Sequence, residues 1–244
     1  MKIININSFA AGAIAIILLL TACKREEKMK PPVANKIPEE LSIHEDIRID
    51  NYYWLNNRED PEVISYLEKE NVYLDEMMKE TKDLQVNLYD EIIGRIKQTD
   101  MSVPYLSNGY YYYSRYEEGK EYPFYCRKKG SLDAEEEILL NVNELAEGYA
   151  YYQVGGLSVS PDNKKICFGV DTLSRRIYTL HFKNLETGEI LEEEIQGTTG
   201  SGSWANDNKT LFYTVKDEQT LRSFQVFRHK MEQPQTEDDL IYEE

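Results

Sequence analysis

Hydrolytic chemistry needs a nucleophile, a base beside it and a turn that exposes both, so the serines, cysteines and histidines come first. A nucleophile elbow has the form Gly-x-Ser-x-Gly, because only small residues fit its strained strand-to-helix turn. The nearest approach is Gly156-Leu157-Ser158-Val159-Ser160, which lacks the closing glycine and falls in a strand pattern. Gly200-Ser201-Gly202-Ser203 misses the spacing too. Both stretches read as structural. His44, His181 and His229 have no nucleophile beside them in the pattern and read as strand or loop residues rather than bases. Cys126 and Cys167 lie in apolar strand patterns and read as two buried free thiols, although an exported chain would be permitted a disulfide. No Cys/His spacing matches a metal site and no glycine-rich loop could cradle a phosphate. The carboxylates are many but scattered. From its residues, the chain shows no catalytic, cofactor-binding or metal-binding group, and no cofactor is expected.

Cys23 carries a different chemistry. Lys2 gives a positive start, Phe9 to Leu20 is an apolar run too short for a comfortable membrane span, and Leu20-Thr21-Ala22-Cys23 follows. Small residues before a cysteine at this place look like a bacterial lipoprotein signal. Residues 1–22 would be removed and Cys23 would become the lipidated first residue. Acyl chains on Cys23 would anchor the protein, since each buried CH₂ contributes ~0.8 kcal/mol. The expected location is the envelope, in the periplasm or at the cell surface. An ordinary signal peptide with an incidental cysteine is the plainer alternative.

The net charge is −16, which argues against nucleic acid as a partner, because phosphate binding needs clustered Lys and Arg. With 41% apolar and 30% charged residues, a packed core with a solvated acidic surface is expected. Nineteen tyrosines suit half-buried strand positions, with an apolar ring and a polar tip.

The elements that would position any site are organised by one pattern written twice. Ser158-Val159-Ser160-Pro161-Asp162-Asn163-Lys164-Lys165-Ile166-Cys167-Phe168 returns as Ser203-Trp204-Ala205-Asn206-Asp207-Asn208-Lys209-Thr210-Leu211-Phe212-Tyr213, 45 residues later. Each copy is a strand, an Asx-rich turn and a second strand. A period of about 40–50 residues built of short strands marks a β-propeller blade, although two copies alone leave chance open. Upstream, residues 23–49 read as a polar tether. Asp60-Pro61 predicts a helix start, with Val63, Leu67, Leu74 and Met78 on one face. A second helix is expected over Lys82 to Lys97, with a stripe at Leu84, Leu88 and Ile92. These helices would pair with each other or dock on another domain. From about Met101 the period becomes alternating, and three units of about four strands are expected by the end of the chain.

These residues carry a resemblance. Asp50-Asn51-Tyr52-Tyr53-Trp54-Leu55, Tyr66-Leu67-Glu68-Lys69-Glu70-Asn71, Val103-Pro104-Tyr105, Asn108-Gly109-Tyr110-Tyr111-Tyr112 and Gly119-Lys120-Glu121-Tyr122-Pro123 run in collinear order with Leu140 to Ala146, Ser160-Pro161-Asp162, Arg175 to Leu180, Phe227-Arg228-His229 and Asp239 to Glu244. The chain resembles the N-terminal part of the prolyl oligopeptidase family of serine peptidases, and its oligopeptidase B (protease II) branch in particular. The resemblance covers roughly 200 residues.

The resemblance implies a mostly β fold: about three blades of a seven-bladed β-propeller over residues 101–244, preceded by a helical segment over residues 50–100. That segment would pack on an α/β-hydrolase domain in cis or in trans. It also implies hydrolysis of short peptides after Lys or Arg, with the propeller restricting substrate size. The family's Ser, Asp and His lie in a catalytic domain after the propeller, so no residue here inherits a catalytic role. The export signal departs from the often cytosolic members of that branch. The competing reading is a non-catalytic, lipid-anchored lipoprotein that binds peptide or protein through its propeller surfaces.

Overall fold

The computed structural model describes residues 29–244, which divide into two compact units at Arg95/Ile96. The signal peptide and Cys23 lie outside the described residues.

In the first unit, β1 (Glu39–Ile43) and β2 (Asp46–Asp50) form an antiparallel hairpin within the stretch expected to be a tether. His44 and Glu45 make its turn, both at positive φ, as a two-residue hairpin of the primed type requires. The signal for it was the alternation Ile47-x-Ile49. Helix α1 (Pro61–Met78) begins at the expected residue: Asp60 Oδ1 accepts the Glu62 N–H at 2.8 Å, and proline occupies the first turn. A short 3-10 turn, Lys79–Thr81, separates α1 from α2 (Lys82–Arg95). The two helices do not bury their stripes on each other. Val63 is buried, but Leu67, Leu74, Leu84, Leu88 and Ile92 are all exposed.

The second unit is built of antiparallel four-stranded leaves. The first holds β3 (Tyr105–Ser107), β4 (Tyr110–Arg115), β5 (Phe124–Lys129) and β6 (Glu136–Asn141) in sequence order. A four-residue helix, α3 (Val142–Leu145), leads out of it. Then come β7 (Gln153–Val159), β8 (Lys165–Asp171) and β9 (Tyr178–Asn184). The 15-residue β10 (Ile190–Trp204) serves two leaves. Its first half pairs with β9 and closes the second leaf; its second half pairs with β11 (Thr210–Lys216), which continues to β12 (Ser223–Lys230) and β13 (Asp239–Glu243). Gly197 and Gly200, both at positive φ, let the chain cross from one leaf to the next without leaving extended structure.

The repeat corresponds to the hairpins β7–β8 and β10–β11, which share one register. Val159 faces Ile166 as Trp204 faces Leu211, and Leu157 faces Phe168 as Gly202 faces Tyr213. Alternation in the strands feeds two cores. Ile166, Phe168 and Val170 of β8 pack toward the first leaf with Tyr112, Leu139 and Leu140. Cys167 joins Leu180, Phe182, Ile195, Leu211 and Tyr213 toward the third leaf. Each fully buried side chain of this size contributes about 1.5–3 kcal/mol. The three leaves are three propeller blades.

Candidate functional site

The serines nearest to a nucleophile elbow lie in strands and a turn. Ser158 lies within β7, and its Oγ is buried without a hydrogen-bond partner, so no base activates it. Ser160 Oγ donates to Asp162 Oδ1 at 2.6 Å and accepts from the Lys165 N–H at 2.9 Å, which shapes the turn of the second blade. Ser201 stands against the inner strand of the second blade: a Cβ on Gly156 would lie 2.4 Å from its Cβ.

His44 sits at an exposed hairpin turn. His181 is half-buried against Phe168, and burial pulls its imidazole below the ordinary value. His229 is wholly buried, with a carboxylate at each ring nitrogen: Asp238 Oδ1 lies 2.7 Å from Nδ1 and Glu193 Oε1 lies 2.9 Å from Nε2. Neither nitrogen is free to take a proton from a nucleophile. Cys126 and Cys167 are both free and buried, and burial pushes each thiol up to about 12. Such thiols are unreactive near neutrality. Among the described residues, no group of three or more His, Cys, Asp or Glu side chains could hold a metal ion.

What the fold does bring together is the joinery between blades. The turns between the first and second strands each carry an asparagine in the left-handed region: Asn108 (φ +45°), Asn163 (φ +61°) and Asn208 (φ +60°). Asparagine tolerates that conformation and bonds locally to the backbone. Here the turns also bond to each other. Asn108 Nδ2 donates to Pro161 O at 2.7 Å, and Asn163 Nδ2 donates to Asn108 O at 3.4 Å. Asp162 N–H donates to Asn208 Oδ1 at 2.8 Å, and Lys165 Nζ donates to Asn208 O at 3.2 Å. The turns of three successive blades are thereby stitched in a row.

Arg127 completes the first seam. It is buried, forks onto Glu137 through Nε (2.7 Å) and Nη2 (2.8 Å), and donates from Nη1 to Asn163 O at 3.1 Å. The Tyr110 ring lies under its guanidinium at 4.1 Å. Sequence reasoning missed this residue, and it missed Asn108 as a third copy of the turn. The first blade joins its strands through Asn108-Gly109 alone, where the later blades use longer turns that start at Ser160 and Ala205. The available signal was an Asn-Gly pair ahead of a tyrosine-rich strand.

A cleft of about 240 Å³ opens beside the first two blades, lined by Tyr105, Tyr112, Tyr125, Cys126, Gly155 and Leu157 among others. It is smaller than the ~300–1,000 Å³ that small-molecule sites occupy, so it could admit a side chain rather than a whole ligand.

The comparisons with known proteins agree with this architecture. The model of the prolyl oligopeptidase N-terminal β-propeller domain matches residues 31–244. The chain is 40% identical over 242 residues to dipeptidyl aminopeptidase BI of Pseudoxanthomonas mexicana, covering 92% of this chain and 34% of that protein. It is 35% identical over 223 residues to Protease 2 of Moraxella lacunata, covering 88% and 32%. Among solved structures, oligopeptidase B from Leishmania major superposes with a TM-score of 0.80 at 34% identity, covering 88% of this chain and 33% of that one. The chain thus spans about a third of the length of these relatives.

Proposed function

Because the chain belongs to the prolyl oligopeptidase family, whose N-terminal β-propeller domain it matches over residues 31–244, we propose that it is the propeller region of a lipid-anchored, envelope-located serine peptidase that cleaves short peptides after Lys or Arg. In this reading the blades screen substrates by size and the chemistry belongs to an α/β-hydrolase domain in the same polypeptide. One observation carries it: three consecutive four-stranded blades, joined seam by seam, lie within the residues that the family's propeller model matches. The exposed stripes of α1 and α2 support a docking role for the helical segment. The Leu20-Thr21-Ala22-Cys23 pattern supports acylation at Cys23 and location in the envelope.

The 40% identical relative is called a dipeptidyl aminopeptidase, which favours a second reading of the specificity: release of dipeptides from a peptide's N-terminus. One experiment separates these ideas. The native protein is recovered from its source cells with an antibody to residues 60–97, its intact mass is measured, and it is given short fluorogenic peptides. The proposal expects an acylated species about three times the size of this chain. It should cleave internally after Lys or Arg and be blocked by a serine-directed inhibitor. Dipeptide release alone would transfer the activity to the second reading. A species of this chain's own size, without hydrolysis, would sink both and leave a peptide-binding lipoprotein.

A further inference from the structure

His229 is the one histidine of the three with no exposed surface. It lies on β12 in the third blade and stacks on Phe182 of the second, with ring centroids 6.2 Å apart. Its two carboxylate partners come from different places. Glu193 belongs to the half of β10 that closes the second blade, and Asp238 immediately precedes β13 in the third. Both carboxylates already receive another donor. The Tyr213 hydroxyl donates to Asp238 Oδ2 at 2.7 Å, and the Glu232 N–H donates to Glu193 Oε1 at 2.6 Å.

An ionised carboxylate only accepts, so each ring nitrogen must carry a hydrogen to satisfy its partner, and only imidazolium supplies both. Glu193 and Asp238 are the charged groups that face the ring. Its neighbours on β12 are engaged elsewhere: Arg228 pairs with Asp239 at 2.7 Å, and Lys230 is exposed. Phe182 stacks on the ring, and Leu211 faces His229 across the β11–β12 pair. Burial opposes the charge on the ring, but the hydrogen bonds and charges of Glu193 and Asp238 outweigh it, so the proton is held above the ordinary imidazole value.

We propose that Glu193, His229 and Asp238 form a proton-operated latch that clips the outer strand of the second blade to the third and releases as the solution turns alkaline. Loss of the proton leaves a ring lone pair against a carboxylate oxygen in a buried site. Moving Glu193, with the 190–196 strand, away from β12 relieves that contact. A neutral pair runs along the same seam and would be strained next: Gln196 N–H donates to Gln235 Oε1 at 2.9 Å, and Gln235 Nε2 donates to Gln196 O at 3.0 Å. The folded chain holds the proton more tightly than the unfolded chain. The latch's contribution is therefore whole below about pH 6.5 and is lost as pH rises through the raised folded value.

The test is ring-nitrogen NMR of the full chain, labelled at histidine, from pH 5 to 10. His229 should keep both N–H protons at pH 6, with its midpoint above 6.5. A single N–H at pH 6, or a midpoint at or below 6.5, would overturn the latch. Amide exchange, corrected for its intrinsic pH dependence, adds a second readout. Protection over 190–196 and 231–238 should fall across the titration by about tenfold per pH unit of the shift, while β8 stays protected. His229→Gln should abolish that step. An unchanged step in a folded His229→Gln chain would show that the latch does not cause it. If the variant fails to fold, the wild-type titration decides alone.

Discussion

Gly169 shows how closely the second and third blades approach. A Cβ placed there would lie 2.4 Å from Gly200 O and 2.5 Å from Gly200 Cα, and both are backbone atoms that cannot rotate away. Overpacking of this kind costs about 1–3 kcal/mol and more where the backbone must move. Gly169→Ala is therefore expected to lose about 3 kcal/mol in urea denaturation. Gly94, within α2, has nothing within 4 Å of its Cβ position, so Gly94→Ala should gain nearly 1 kcal/mol from helix propensity. The same methyl group then acts with opposite sign at two sites, and equal effects would refute the packing argument. Arg127 supplies a second test at this scale. A lysine in its place would keep the charge but could not fork onto Glu137 while reaching Asn163 O, so Arg127→Lys should cost about 2 kcal/mol. A fully stable Arg127→Lys chain would show that charge alone holds the first seam.

Elements differ in how far their determinants lie along the chain, and this decides what was legible. The start of α1 was readable because Asp60 and Pro61 act within one turn. The β7–β8 and β10–β11 hairpins were readable because strand, Asx turn and strand recur in one window. The single strand β10 was not. Gly197, Gly200 and Gly202 look like breaks in sequence, and only the partners β9 and β11, on either side, make the segment continuous. The fate of the helical stripes was equally hidden, because a stripe names an apolar face without naming what covers it. In this chain Leu88 and Ile92 are exposed. Leu88→Glu with Ile92→Glu should then change stability by no more than about 0.5 kcal/mol each while lowering binding of an apolar dye. Leu211→Ala, in the second core, should cost about 2–5 kcal/mol. If the double substitution instead unfolds α2 in this chain, the stripe is already packed, and the docking role proposed for it fails.

Across the whole molecule, stability should be graded from the second blade outward. That blade has a core on both faces, through Ile166 and Phe168 on one side and Cys167, Leu180 and Phe182 on the other. On the face of the first blade away from the second, Tyr113, Phe124 and Cys126 make a cluster of three. In the third blade, β13 is exposed at every position, with Leu240, Ile241 and Tyr242 in a row. Stacked repeats draw much of their stability from their neighbours, so blades with fewer contacts open first. Native-state hydrogen exchange should find the slowest amides in β8 and β9 and the fastest strand amides in β3 and β13. An exposed apolar edge strand is also a template for pairing with another chain. The isolated chain is therefore expected to self-associate with rising concentration. Ile241→Lys, which places a charge on that edge, should reduce light scattering without changing the unfolding midpoint. If the wild-type chain stays monomeric and unfolds in one sharp transition with uniform protection, the blades act as one cooperative unit and the gradient argued from their cores is wrong.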